Sequence, residues 1–118
     1  MPGRPSDKQR LGQAGEAAAL DHLLRQGLTL VRRNFRCKGG EIDLIMRHGA
    51  ELVFVEVRQR GGASHGGAAA SVTPAKQRRL ALAAHVYLQA LAATPPCRFD
   101  VVAIDSGRLS WLPNAIEV

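Results

Sequence analysis

The apolar run Leu52-Val53-Phe54-Val55-Glu56-Val57-Arg58 is rich in β-branched residues and reads as a strand. Side chains on a strand alternate between faces. Leu52, Phe54, Glu56 and Arg58 therefore share one face, and Val53, Val55 and Val57 the other. Both faces carry large apolar residues, which predicts a central strand covered on both sides. A second apolar segment, Glu41 to Ile45, precedes it, and His48-Gly49-Ala50-Glu51 supplies the turn between them.

The rest of the pattern surrounds this hairpin. A helix is predicted from Ser6 to Gln26, with Ser6 and Gln9 as a capping box and Gly27 as its stop. Leu11, Ala14, Ala18 and Leu24 form its expected apolar stripe, widened by Leu20 and Leu23. Leu28 to Phe35 reads as the first strand, and Cys37 to Gly40 as a turn. Gln59 to Ser71 reads as a mobile glycine-rich loop, too glycine-rich for helix or strand. It contains Arg60 and His65 but lacks the Gly-Lys-Ser/Thr ending of a nucleotide-binding loop. Thr73 and Pro74 open a second helix with Leu80, Ala84, Tyr87, Leu88 and Leu91 on its core face. Pro95-Pro96 ends that segment. Arg98 to Asp105 and Arg108 to Leu112 are the last strands, the latter an edge. The order α-β-β-β-α-β-β predicts an α/β fold, a mixed central sheet flanked by helices on both faces.

Composition narrows the class. The chain has 118 residues, 46% hydrophobic and 22% charged. That is one domain, 1–118, with 1–5 as a loose tail. No apolar run approaches membrane-spanning length, and the first residues lack the apolar core of a secretory signal, so a cytoplasmic location is expected. Cys37 and Cys97 have no partner at zinc-ligand spacing and read as reduced thiols. The net charge of +6 and sequence pI of about 10.4 favour a polyanionic partner, nucleic acid before membrane.

Candidate chemistry lies in the hairpin. A two-residue Gly49-Ala50 turn sets His48 opposite Glu51, and counting outward sets Asp43 opposite Glu56 and Glu41 opposite Arg58. An odd-length loop would shift this by one. Opposed residues have Cβ atoms roughly 5 Å apart, and two carboxylates that close repel unless a proton or cation lies between them. Carboxylate oxygens suit Mg²⁺ or Mn²⁺. The competing arrangement is a cross-strand ladder, with Glu41–Arg58 an ion pair and Asp43 bonded locally. Glu16 has Gly12, Ala19, Leu20 and Leu23 as helical neighbours, so it either points inward or is an exposed acid favoured by the helix dipole. Lys76, Arg78 and Arg79 crowd the first turns of the second helix against its dipole, fitting either a bound anion or a solvated basic face.

Several motifs occur in order. They are Gly12-x-x-Gly15-Glu16-x-x-Ala19, Asn34-x-Arg36, Gly40-Glu41-Ile42-Asp43-Leu44-Ile45, Val53-Phe54-Val55-Glu56-Val57-Arg58-x-Arg60 and Arg98-Phe99-Asp100-Val101-Val102. Together they resemble the YraN-like family of small bacterial proteins, over nearly the whole chain. That family is grouped with restriction-endonuclease-like PD-(D/E)XK nucleases and is similar to archaeal Holliday-junction resolvases. The resemblance implies Asp43, Glu56 and Arg58 at the nuclease motif positions and Glu16 as the helix-borne acid of the resolvase group. It implies Mg²⁺ or Mn²⁺ held by Asp43, Glu56 and the Val57 carbonyl. The motif lysine is replaced by Arg58, which stays charged and cannot act as a base; Lys76 is the candidate substitute. Two functions follow as expectations. One is a metal-dependent endonuclease or resolvase on branched DNA, working as a C2 homodimer. The other is a catalytically silent DNA- or RNA-binding module using Arg33, Arg36, Lys38, Arg60, Lys76, Arg78 and Arg79. A protein-interaction scaffold is a weaker third.

Overall fold

The computed structural model describes residues 7–60 and 67–117. Five strands form one sheet in chain order, β1(Thr29–Cys37), β2(Gly40–His48), β3(Glu51–Arg60), β4(Cys97–Asp105) and β5(Arg108–Leu112). Only β3 and β4 run parallel; the other neighbours are antiparallel. The parallel connection is made by α3(Pro74–Gln89), preceded by the one-turn helix α2(Gly67–Ala70). α1(Asp7–Arg25) precedes the sheet. The expected α/β order and mixed sheet are those of the protein, with β3 central and β1 and β5 at the edges.

Two apolar layers sandwich the sheet. Leu52, Phe54, Phe99, Val101 and Ala103 pack with Ala68 and Val72 and with Leu80, Ala83 and Ala84 of α3. Val53, Val55, Val102 and Ile104 pack on the other side with Ala19 and Leu23 of α1. The alternation expected along β3 is thus realised, and from Leu52 to Val55 both of its faces are removed from water.

Four expectations are corrected. The stripe of α1 is rotated: Ala14, Ala18 and Leu24 are exposed, and from Gln13 onward the buried residues are Gly15, Ala19 and Leu23, spaced four apart. Alanine carries little information about which face is buried, so the helix turns to bury Leu23 and the residues one and two turns before it. The first strand continues to Cys37, leaving Lys38-Gly39 as the turn. Gln59 and Arg60 belong to β3, and Gly67–Ala70 is helical despite the glycine content of this stretch. That last turn is tied down: the Ala68 amide donates to Asp105 Oδ1 at 2.5 Å, and Ser71 Oγ donates to the Ala68 carbonyl at 2.6 Å. The tail 1–5, the role of Ser6, the Leu11 side chain and His65 lie outside the described residues.

Candidate active site

The β2–β3 hairpin turns at Gly49-Ala50, and its ladder runs from His48–Glu51 to Leu44–Val55 in the expected register. It stops there. The next two pairs in that register are Asp43–Glu56 and Ile42–Val57. In place of a backbone bond, the Val57 amide donates to Asp43 Oδ2 at 2.8 Å. Strand alternation also breaks at this point: Ile42 and Ile45, three residues apart, pack in the same layer, while Leu44 and Met46 pack in the other. Across from the break, Asn34 of β1 has φ +52° and drops out of the pairing between Arg33–Leu44 and Phe35–Ile42. The two strands part, and the gap is the candidate site. N–H and C=O of one strand residue project to the same side, so the Val57 carbonyl faces this gap as well.

The gap opens into a cleft of about 190 Å³ lined by Glu16, Glu41, Asp43, Glu56, Val57, Arg58, Lys76 and Arg79. Two glycines let helices reach it. A Cβ on Gly40 would lie 2.5 Å from the Arg79 carbonyl and 3.0 Å from the Ala83 amide, so α3 packs directly on the start of β2. This brings Lys76 and Arg79 over the acids. A Cβ on Gly15 would lie 2.5 Å from Gln59 Oε1, so α1 passes close to the end of β3 and carries Glu16 to the cleft.

The electrostatics are those of acids crowded out of water. Burial pushes the Glu56 carboxyl up to about 8, reinforced by the charge of Asp43 and opposed by Arg58 and Lys76. Burial also pushes Asp43 up to about 6, against the Val57 amide and with help from Glu16 and Glu41. Glu16 is raised as well, by burial, with Arg33 and Arg36 pulling the other way. Its Oε1 is buried with no hydrogen-bond partner among the described residues, the kind of orphan that calls for a donor or a cation. Among the described residues no group of three or more His, Cys, Asp or Glu has the geometry to enclose a metal alone. The donors on offer are two desolvated carboxylates and one backbone carbonyl, all hard oxygens. That is the short protein ligand set Mg²⁺ accepts when waters complete its shell.

Arg58 faces these acids from β3. Its Nη1 is 3.9 Å from Glu56 Oε1, and its Nε donates to Ser71 Oγ at 2.9 Å. The anticipated Glu41–Arg58 pairing is replaced: Glu41 meets Arg36 at 3.8 Å and Arg79 at 3.9 Å. Lys76 lines the cleft with no ion pair among the described residues, its backbone amide held by the Thr73 cap.

Glu16, Asp43, Glu56, Arg58, Lys76 and Arg79 all line this one cleft. Arg33 and Arg36 stand at the rim on β1 and act on Glu16. Lys38, in the β1–β2 turn, Arg60, at the end of β3, and Arg78, on α3, are exposed and do not line the cleft. Sequence reasoning missed Glu41 as a lining residue and Ser71 as the partner of Arg58. Glu41 was legible from its place beside Gly40; Ser71 gave no signal.

A mixed-sheet α/β protein with an acidic, cation-rimmed cleft is the class that this geometry defines. Residues 15–104 match the uncharacterised protein family UPF0102. The chain belongs to that family, the YraN family. It is 62% identical over 110 residues to a UPF0102 protein of Herminiimonas arsenicoxydans, covering 93% of this chain and 89% of that protein. It is 64% identical over 110 residues to one of Cupriavidus necator, covering 92% and 84%. A UPF0102 protein of Alkalilimnicola ehrlichii is 54% identical over 116 residues, covering 97% and 92%.

Proposed function

We propose that the protein binds nucleic acid at this cleft and cuts its phosphodiester backbone with the help of a divalent ion. The observation that carries this is the burial of Asp43 and Glu56 side by side, where both carboxyls are raised by burial and by their neighbours' charge. Two acids placed so are destabilising unless something positive completes the site. Asp43, Glu56 and the Val57 carbonyl would hold Mg²⁺ or Mn²⁺, which, when bound, makes water a better nucleophile and offsets charge on a phosphate. Glu16 supports the site from α1. Arg58 orients and neutralises but takes up no proton. Lys76, which makes no ion pair among the described residues, would face a phosphate. Arg33 and Arg36 on β1 and Arg79 on α3 extend positive charge along both sides, in keeping with the net charge of +6. A cut through both strands of branched DNA would call for a C2 dimer, which sedimentation at working concentration would detect.

One observation favours a second reading. Arg58 stands where the nuclease motif that the sequence resembles has lysine, and its Nε is committed to Ser71. A protein with this arrangement would bind backbone phosphates without cutting them.

Titration calorimetry with Mn²⁺ tests the ion site. Heat that persists unchanged in Asp43→Ala/Glu56→Ala removes these carboxylates from consideration. Incubation of four-way-junction and duplex DNA with Mn²⁺ then separates the two readings. Cleavage by the native protein supports the nuclease; cleavage by Arg58→Lys alone makes the native protein a binder. A salt-independent interaction with DNA would count against both.

A further inference from the structure

Among the described residues, Glu41 is the cleft acid whose carboxylate reaches outward to both rims. Oε2 faces Arg36 Nε at 3.8 Å, and Oε1 faces Arg79 Nη2 at 3.9 Å. Arg36 is its cross-strand partner on β1; Arg79 descends from α3, fixed at its backbone by the contact with Gly40. Two guanidinium groups from separate elements thus converge on the two oxygens of one anion. We propose that Arg36 and Arg79 form a phosphate subsite beside the acidic cleft, and that the Glu41 carboxylate fills it as a built-in phosphate mimic that a backbone phosphate displaces.

Three observations argue for displacement rather than a fixed bridge. Both distances exceed hydrogen-bond length, so these are loose ion pairs. The side chains are open to solvent, Arg36 at 76%, Arg79 at 58% and Glu41 at 49% exposure, where such pairs are screened and worth little. A phosphodiester presents two non-bridging oxygens and a full charge, and arginine binds that geometry with paired, charge-assisted bonds. The carboxylate would thereby tax polyanions generally and admit those that also satisfy the neighbouring cleft. The idea rests on the nucleic-acid reading above and gives Arg36, Arg79 and Glu41 a specific role within it.

The test uses the full chain, with arginine Nε resonances followed during titration with inorganic phosphate and, separately, fluorescence anisotropy on a short DNA duplex across a salt series. Glu41→Gln should bind both probes more tightly, roughly three- to tenfold at low salt. Arg36→Gln/Arg79→Gln should weaken both and flatten the salt dependence for DNA by about 2, one unit per arginine. Glu117→Gln removes an exposed acid outside the cleft and should change neither. An equal gain in Glu117→Gln would reduce the effect to net charge and overturn the subsite. Unchanged or weaker phosphate binding in Glu41→Gln, with the amide spectrum otherwise preserved, would overturn it too, as would equal competition by polyglutamate. Tighter phosphate binding in Glu41→Gln with no DNA binding by any variant would support the subsite while removing the nucleic-acid function.

Discussion

The Val57 amide donates to Asp43 Oδ2 at 2.8 Å, one step beyond the last backbone pair of the β2–β3 ladder. A side chain has taken the place of a main-chain acceptor, so Asp43 both closes the hairpin and opens the cleft. The two duties separate by substitution. Asn keeps an oxygen for the amide and removes the charge that raises Glu56. Asp43→Asn should therefore match or exceed native stability at about pH 8 and lower the Glu56 pKa, followed by carboxyl NMR. Asp43→Ala leaves the amide without its acceptor and should be less stable than Asp43→Asn by about 1–2 kcal/mol. Both should lose Mn²⁺ heat.

Stability should fall as pH rises through the neutral range. Glu56 is raised from 4.5 to about 8 and Asp43 from 3.8 to about 6. Between the unfolded and folded values the native state holds more protons than the unfolded chain, so the unfolding free energy has a negative slope with pH. The native state is free of this penalty below about pH 4 and carries it in full above about pH 8. Urea midpoints in chelator should fall steadily from about pH 5 to about pH 9. Saturating Mn²⁺ should flatten the curve, and chelation should restore it.

Much of this was legible in the chain. Strand period and a two-residue turn fix register without tertiary information, so the ladder from His48–Glu51 to Leu44–Val55 follows from counting outward from Gly49-Ala50. The break in the ladder did not follow, because it depends on Asn34 of β1 and on α3 pressing against Gly40, contacts between segments far apart in sequence. The phase of α1 failed for a related reason: in a helix of alanines and glycines the buried face is chosen by the partner surface. The Arg58–Ser71 bond spans a glycine-rich stretch whose path no periodicity describes.

Gly40 and Gly15 offer a contrast that the sequence alone would not draw. At Gly40 an added methyl meets backbone, the Arg79 carbonyl at 2.5 Å, which cannot yield without moving α3. Gly40→Ala should cost about 1–3 kcal/mol and weaken phosphate binding by shifting Lys76 and Arg79. At Gly15 the obstacle is Gln59 Oε1, the far end of a flexible side chain. Gly15→Ala should be close to neutral, since gained helix propensity of up to about 1 kcal/mol offsets the rearrangement. Denaturant midpoints for the pair check this directly.

The buried Asp100 should matter for stability and little for binding. It is fully buried on β4 and accepts from Arg98 Nε at 3.0 Å, Trp111 Nε1 at 2.9 Å and the Asn114 amide at 2.8 Å. Arg98 continues the network to Glu51 at 2.9 Å and to His48 Nδ1 at 3.0 Å. This staple joins the starts of β3 and β4 to β5 and the C-terminal segment, and none of its members lines the cleft. Asp100→Ala strands a partly buried guanidinium and two further donors, so a loss of about 3–5 kcal/mol is expected. Phosphate affinity measured well below the unfolding transition should remain at the native value.

Arg58 provides the sharpest division between placement and charge. Ser71 Oγ accepts from Arg58 Nε and donates to the Ala68 carbonyl, whose residue is itself tied to Asp105. The guanidinium therefore arrives at Glu56 along a chain of bonds from β4 through α2, and its orientation does not depend on a ligand. Lysine cannot copy this, having no Nε–H to give Ser71 along a planar fork. Arg58→Lys should leave Ser71 without its donor and cost about 1 kcal/mol. Ser71→Ala should cost more in the native background than in the Arg58→Lys background, where only its bond to the Ala68 carbonyl is left to lose. A double-mutant cycle with additive effects would mean that Ser71 and Arg58 act independently. Strong coupling would establish that the return of the glycine-rich segment sets where the positive charge of the cleft lies.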